Sequence, residues 1–148
     1  MSSIDGVIVT PLKVIPVDKG DVLHGIKASE DSFHGFGEAY FSTILYKQVK
    51  GWKKHTEMTM NIVVPEGAIK FVMYDARLTS HTHHRFFSII IDKQNYCRLT
   101  VPQGIWMAFE GVGSGTNLLM NFANMEHIPQ EAENKPLEDI PFNWSDDE

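Results

Sequence analysis

Three side chains that can take part in proton chemistry stand at alternate positions in the stretch 49–67, namely Lys53, His55 and Glu57. Successive side chains of a β-strand point to opposite faces, so residues two apart share a face. By the same alternation Gly51, Thr59 and Asn61 share this face. The other face is largely apolar, with Trp52, Met58, Met60, Ile62 and Val64. A cation, an imidazole and a carboxylate on one face of an apolar strand predict the lining of a pocket.

His55 is the first candidate for a general base among these side chains. A histidine has an ordinary pKa near 6.5 and is mostly neutral at pH 7, whereas a lysine, near 10.4, must be shifted by about three units. Lys53 is then a fixed cation for an enolate or a phosphate, and Glu57 either orients His55 or neutralises Lys53. The alternatives are a structural buried histidine and a solvated surface lysine.

Short β-strands separated by Gly and Pro turns must position these side chains. The predicted strands cover 7–10, 22–27, 39–46, 58–64, 68–74, 85–91, 97–101, 105–110 and 118–122. They are rich in Val, Ile, Phe and Tyr, and only 131–139 could hold a helical turn. With no repeat and no linker, the pattern predicts one all-β domain over residues 1–148, a sandwich or a barrel.

The C-terminal segment 129–148 is rich in Pro, Glu and Asp. Phe142 and Trp144 predict that this segment packs back on the barrel. The last four residues, 145–148, are polar and acidic, and we expect them to fray.

Composition excludes several classes of function. The chain of 148 residues has a net charge of −6 and no basic patch, so nucleic acid is not an expected partner. Cys97 is the single cysteine and can form no intrachain disulfide. No apolar run approaches the roughly 18 residues of a membrane helix, and the first residues lack the features of a signal peptide. We expect a cytoplasmic protein with no membrane partner.

Several motifs together resemble one known family. They are Lys19-Gly20, the stretch 49–67, the run G-A-I-K-F-V-M-Y-D-A-R at 67–77 and V-P-Q-G at 101–104. As a set they resemble the dTDP-4-dehydrorhamnose 3,5-epimerase family of sugar-nucleotide cupins, in order over roughly the first 125 residues. The resemblance implies a jelly-roll β-barrel (cupin) and a homodimer in which N-terminal strands cross to the partner.

The activity that this resemblance implies is that of a sugar-nucleotide epimerase. Such an isomerase removes the proton next to the ketone of an NDP-4-keto-6-deoxyhexose, at C3 and/or C5, in the biosynthesis of deoxysugars and of surface polysaccharide such as lipopolysaccharide O-antigen. The reaction requires a base, a partner for the oxyanion and an acid.

The family's catalytic residues match this chain incompletely. The family base follows the glycine of an Arg-Gly pair by two residues, which places it at Lys53 after Lys50-Gly51. The carboxylate that partners the base falls near Leu137, and the tyrosine acid falls near 126–127. These departures leave three alternatives: a single-centre epimerase, a ketoisomerase, and a catalytically degenerate cupin that binds a sugar nucleotide or a partner enzyme without chemistry.

The resemblance also indicates substrate-binding residues. Lys19 and Lys50 stand where the family places basic residues that contact phosphate, and Tyr74 begins a run that matches a family motif. With Asn61, which shares the parity of His55, the substrate-binding candidates are Lys19, Lys50, Tyr74 and Asn61. Asp75 and Arg77, also in that run, are spaced for a structural ion pair at the end of a strand.

No metal and no other cofactor is predicted. Metal-binding cupins use an H-x-H pair, a glutamate and a further histidine after the P-x-G turn. Here Lys53 and Met107 stand at the first and last of these histidine positions, which leaves too few ligands. A metal-dependent oxygenase is therefore a weak alternative.

Overall fold

A computed structural model describes residues 3–145, and within this range the chain forms twelve β-strands and two short 3₁₀ turns. The strands are β1 (Ile8–Pro11), β2 (Val14–Ile15), β3 (Val22–Leu23), β4 (Glu38–Thr43), β5 (Val49–His55), β6 (Met60–Glu66), β7 (Ile69–Asp75), β8 (Phe86–Ile91), β9 (Cys97–Val101), β10 (Ile105–Gly111), β11 (Leu118–Ala123) and β12 (Ala132–Asn134). The 3₁₀ turns cover Pro129–Glu131 and Leu137–Asp139. The prediction of an all-β chain is confirmed.

The strands build two five-stranded antiparallel sheets. Sheet I has the order β1-β9-β6-β11-β4, sheet II has the order β12-β5-β10-β7-β8, and β2 pairs with β3 in a separate hairpin. Among the described residues no strand ladder joins sheet I to sheet II, so of the sandwich and the barrel that the strand pattern predicts, the structure is a two-sheet sandwich, an arrangement consistent with the jelly-roll cupin expected from the resemblance and not closed into a barrel.

The main core lies between the sheets. Its fully buried members include Ile62 and Leu99 from sheet I and Phe71, Met73 and Ile105 from sheet II. The side chains that face the other sheet are apolar because packing of the two sheets buries them. Gly104, in the predicted P-Q-G turn between β9 and β10, has φ +89°, a conformation that favours glycine.

A second apolar cluster covers the outer face of sheet II. Trp52 and Trp106 project outward from neighbouring strands, and Ile140, Phe142 and Trp144 of the C-terminal segment pack against this side of the sheet. The Trp52 indole N–H also donates to the carbonyl of Leu137 over 3.1 Å. The C-terminal segment is thus attached to sheet II. Of the residues expected to fray, 146–148 lie outside the described range.

The stretch 49–67 is not one strand. Its first half is β5 in sheet II and its second half is β6 in sheet I, joined by residues 56–59. The two-residue alternation therefore does not continue across 56–59. Lys53 and His55 face the space between the sheets from one side, and Met60 and Ile62 face it from the other. Within residues 3–145 no helix has the length and apolar character to cross a membrane.

Candidate active site

A cavity of about 240 Å³ opens between the two sheets. It is lined by residues of five strands, namely Tyr40, Ser42, Lys50, Gly51, Lys53, His55, Met60, Ile62, Met107, Phe109, Leu119 and Asn121. Methionine, leucine, isoleucine and phenylalanine form its walls, and a few polar groups converge on it. This combination is typical of a small-molecule site.

A buried histidine and a buried carboxylate form the chemical centre of the cavity. Nδ1 of His55 lies 2.7 Å from Oε1 of Glu131, and the two residues are only 5% and 3% exposed. Glu131 closes the first 3₁₀ turn, directly before β12, and β12 pairs with β5 so that Ala132 lies opposite His55. The pairing of β12 with β5 thus brings together two residues 76 positions apart.

Glu131 is held as a carboxylate by several donors. Its Oε2 accepts the main-chain N–H groups of Glu57 and Met58 over 2.9 and 2.7 Å. Burial alone would raise the pKa of Glu131, but the hydrogen bonds from His55 and from these two N–H groups outweigh it and hold the pKa below its ordinary value. Because an ionised carboxylate only accepts, Nδ1 of His55 carries a proton, and in the neutral imidazole Nε2 is then the nitrogen that can act as a base.

The main chain fixes the same pair. The N–H and the Oγ1 hydroxyl of Thr56 both donate to the carbonyl of Glu131, over 2.9 and 2.8 Å. Glu131 was missed by sequence analysis, and the family resemblance placed the carboxylate near Leu137. Leu137 instead supplies a main-chain acceptor to Trp52. No local pattern marks Glu131, since its role depends on the β12–β5 pairing.

The role predicted for Glu57 needs correction. Glu57 lies beyond the end of β5, is exposed and does not line the cavity. Its main-chain N–H, and not its carboxylate, takes part in the site by donating to Glu131. The carboxylate that contacts His55 is that of Glu131.

Lys53 and Lys50 both line the cavity, although they are three residues apart. A β-bulge explains this: Met107 pairs with Lys53 and Phe109 pairs with Lys50, so one strand has an extra residue between these two pairs. Nζ of Lys50 donates to Oγ of Ser42 and to the carbonyl of Thr43, over 3.1 and 2.7 Å. Two cations therefore stand on the same wall as His55.

Asn61 does not lie in the cavity, contrary to the prediction. It is on the opposite face of β6 from Met60 and Ile62, where its Oδ1 accepts from Nε of Arg98 (3.2 Å) and from the hydroxyl of Thr100 (2.5 Å). The prediction was wrong because it continued the two-residue alternation of β5 through residues 56–59, where the chain leaves one sheet for the other. Asn61 belongs to a buried structural network.

Tyr74 and Lys19 also lie away from the cavity. Tyr74 faces outward on β7, where its ring packs on Phe86 and its hydroxyl lies 3.2 Å from Nδ1 of His84. A strand places alternate side chains on opposite faces, and Tyr74 lies on the outer face, next to Met73 on the inner one. Lys19 is exposed in the turn between β2 and β3. Neither residue contacts the cavity within this chain.

The predicted ion pair at the end of β7 is confirmed. Nε of Arg77 lies 2.9 Å from Oδ1 of Asp75, which is fully buried. Burial alone would raise the pKa of Asp75, but hydrogen bonds from Arg77, Ser80 and Thr82 hold it well below its ordinary range. The pair fixes the loop after β7 and has no contact with the cavity.

Sheet I contributes a polar pair that sequence analysis did not identify. Tyr40 on β4 and Asn121 on β11 are cross-strand partners, and Nδ2 of Asn121 lies 3.1 Å from the Tyr40 hydroxyl. Both side chains line the cavity from the wall opposite His55. Within residues 3–145, no group of three or more His, Cys, Asp or Glu side chains is arranged to hold a metal ion.

These features define a β-sandwich with a buried histidine–carboxylate pair in an intersheet cavity, and comparison with known proteins identifies the family. No family model matches the chain. A solved dTDP sugar isomerase from Desulfovibrio desulfuricans is 34% identical, with a TM-score of 0.95 over 100% of this chain and 96% of that one. The chain belongs to the family of dTDP-sugar isomerases and dTDP-4-dehydrorhamnose 3,5-epimerases, the sugar-nucleotide cupins.

Further relatives agree with this assignment. The spore coat polysaccharide biosynthesis protein SpsL of Bacillus subtilis is 25% identical over 146 residues, 96% of this chain and 97% of the relative. A probable low-salt glycan biosynthesis epimerase of Haloferax volcanii is 27% identical over 82% of this chain and 80% of the relative. The fold is also shared with the dTDP-4-dehydrorhamnose 3,5-epimerase of Elizabethkingia anophelis, at 14% identity and a TM-score of 0.83 over 98% of this chain and 84% of that one.

Proposed function

We propose that this protein is a sugar-nucleotide epimerase that acts on an NDP-4-keto-6-deoxyhexose, at C3 and/or C5, in surface polysaccharide biosynthesis. The observation that carries the proposal is the buried 2.7 Å contact between His55 and Glu131 at the wall of the cavity. A relative named as a probable epimerase and one named as a polysaccharide biosynthesis protein support it.

His55 is the proposed base. With Nδ1 donating to Glu131, Nε2 accepts the proton from the carbon next to the ketone, and the imidazolium that forms is stabilised by the buried carboxylate. Glu131 remains ionised throughout because its pKa is held below the ordinary range. This arrangement is the general pattern of a histidine base oriented by an acidic residue.

Lys53 is the proposed partner of the enolate oxygen. It lies two residues before His55 on β5, and both side chains line the same cavity. Lys53 is exposed at this wall, and its ammonium group can approach the enolate oxygen and stabilise the negative charge that develops there. Proton removal and charge stabilisation therefore come from one strand.

The cavity supports binding of the sugar rather than of the whole substrate. Its volume of about 240 Å³ is below the roughly 300 Å³ at which pockets for drug-sized ligands begin. We propose that the sugar ring enters it and that the diphosphate stays at the open end, near the exposed Lys50. Lysine binds phosphate as a point charge.

A homodimer is the proposed assembly, with Lys19 reaching the partner's cavity. Exposed apolar side chains cluster on the β2–β3 hairpin, where Ile15, Val17 and Val22 are 39%, 52% and 49% exposed. Coverage by a second copy would remove this surface from water. Light scattering during gel filtration should give twice the 16.8 kDa of one chain, and a monomer would contradict this assembly.

A ketoisomerase is the second candidate, since the name of the relative at 34% identity, dTDP sugar isomerase, fits either activity. Such an enzyme moves the carbonyl to the neighbouring carbon and begins with the same removal of a proton by a base. His55 and Glu131 would have the same role in it. The two candidates differ in the product and not in the first step.

The test is to incubate the protein with a panel of NDP-4-keto-6-deoxyhexoses in deuterated water and to follow C3 and C5 by NMR. An epimerase incorporates deuterium and inverts the carbon, whereas a ketoisomerase shifts the ketone resonance to another carbon. If calorimetry shows binding of a nucleotide sugar but no substrate exchanges, the chain is a binding protein without chemistry and the proposal fails.

A further inference from the structure

An epimerase must return a proton to the face of the sugar carbon opposite the one from which it was removed. We infer that Tyr40 is the proton donor for that step, an inference that rests on the proposed epimerase function. His55 approaches the cavity from β5 in sheet II, and Tyr40 approaches it from β4 in sheet I. A flat enolate bound between the sheets thus has one proton-transfer group on each side.

The other ionisable groups at the cavity do not meet this requirement. Among the described residues that line it, the ionisable ones are Tyr40, Lys50, Lys53 and His55. The two lysines share β5 with His55, so they lie on the wall from which the first proton is removed. Tyr40 is the ionisable lining residue that sheet I contributes within residues 3–145.

Asn121 orients the Tyr40 hydroxyl as a donor toward the cavity. Oδ1 of Asn121 accepts the main-chain N–H of Asn61 over 3.2 Å, which fixes the orientation of the amide. Nδ2 must then face Tyr40, and it donates to the phenolic oxygen over 3.1 Å. Because this oxygen already accepts from Asn121, its own hydrogen is available to a substrate. Asn121 is a positioning residue, and it also stabilises the phenolate that the transfer produces.

The site can also restore the proton of Tyr40. The Tyr40 side chain is 39% exposed, whereas His55 is 5% exposed. The open wall of the cavity therefore gives the phenolate contact with solvent.

The inversion consumes and releases no net proton. The C–H bond next to the ketone breaks, its proton moves to Nε2 of His55, and its electron pair forms the enolate. The enolate carbon then takes the Tyr40 hydroxyl proton on the other face, and the ketone re-forms. The imidazolium releases a proton to water and the phenolate takes one from water, so no oxidant or further reactant is needed.

The variant Tyr40→Phe tests this role, because it removes the hydroxyl and keeps the ring. In deuterated water it should form the inverted sugar at least about 10²-fold more slowly than wild type, the scale of general acid catalysis. It should still incorporate deuterium with retention of configuration, since His55 can return a deuteron to its own face. The control is Tyr46→Phe, which deletes the hydroxyl of a tyrosine that is 47% exposed and does not line the cavity.

Each outcome of this experiment decides the inference. Inversion by Tyr40→Phe within about threefold of the wild-type rate would overturn it, although the proposed function would stand. An equal loss of inversion and exchange would also overturn it, and a lowered melting temperature would then show that the role of Tyr40 is structural. Wild type that exchanges no sugar, or that moves the ketone without inverting a carbon, would overturn the epimerase function together with this role of Tyr40.

Discussion

Replacement of Glu131 by glutamine should leave the chain folded and prevent His55 from acting as the base. Two main-chain N–H groups, those of Glu57 and Met58, donate to one side of the Glu131 carboxylate. In Glu131→Gln the amide oxygen must accept from them, so the amide N–H₂ group faces Nδ1 of His55. Two donors cannot share a hydrogen bond, and the histidine proton therefore moves to Nε2, the nitrogen needed for proton removal.

The expected loss of rate is about 10³-fold, and it can reach about 10⁴-fold, the scale found when an acidic residue that orients a catalytic histidine becomes an amide. The assay is deuterium incorporation into the sugar, measured by NMR at several enzyme concentrations. Exchange by Glu131→Gln at the wild-type rate would refute the role of Glu131 in setting the tautomer of His55.

The same variant should lose moderate stability. Hydrogen bonds to a charged acceptor contribute about 1.5–3 kcal/mol each against about 1 kcal/mol for neutral ones, and three such bonds are weakened or replaced. After relaxation we expect a loss of about 1–3 kcal/mol, which corresponds to a fall in melting temperature of about 3–10 °C.

The stability difference should depend on pH with a defined sign. The pKa of Glu131 is lower in the folded protein than its ordinary value of 4.5. Its stabilising contribution is therefore fully present above about pH 4.5 and is lost as the pH falls toward the folded-state pKa. Urea unfolding of wild type and Glu131→Gln should differ at pH 7 and converge in acid. A difference that grows in acid would contradict this assignment.

Three further changes test other parts of the account. Lys53→Ala should slow exchange by about 10²-fold without changing which carbon exchanges, and the matched control Lys54→Ala removes a lysine that faces outward over Trp106. Lys50→Ala should weaken binding of a nucleoside diphosphate by about 1–3 kcal/mol in calorimetry, and unchanged affinity would exclude a phosphate contact. Trp144→Ala should lower stability by about 1–3 kcal/mol and increase amide hydrogen exchange in 132–144, because the ring centroids of Trp144 and Trp52 lie 6.1 Å apart. Unchanged exchange in 132–144 would show that Trp144 does not anchor the segment.

Local signals were enough to predict most of the strands and the ion pair of Asp75 with Arg77. Strand alternation and turn residues depend on neighbours in sequence, and a pair two residues apart on one strand is also local. The pocket face of Lys53 and His55 was predicted for the same reason, because both residues lie within β5.

The remaining features of the site depend on long-range pairing that no local pattern records. Glu131 reaches His55 because β12 pairs with β5. Lys50 joins Lys53 in the cavity because a bulge shifts the register. Asn61 was assigned to the wrong face because the chain passes from sheet II to sheet I between β5 and β6.

The most direct test of the central claim compares wild type with His55→Asn in deuterated water. Asparagine places an N–H group near the position of Nδ1, so it can still donate to Glu131 and support the fold, but it has no nitrogen that can act as a base. Wild type should incorporate deuterium at C3 or C5 of its 4-keto sugar, and His55→Asn should show no incorporation while it still binds the nucleotide sugar. Incorporation by His55→Asn at the wild-type rate would contradict the account.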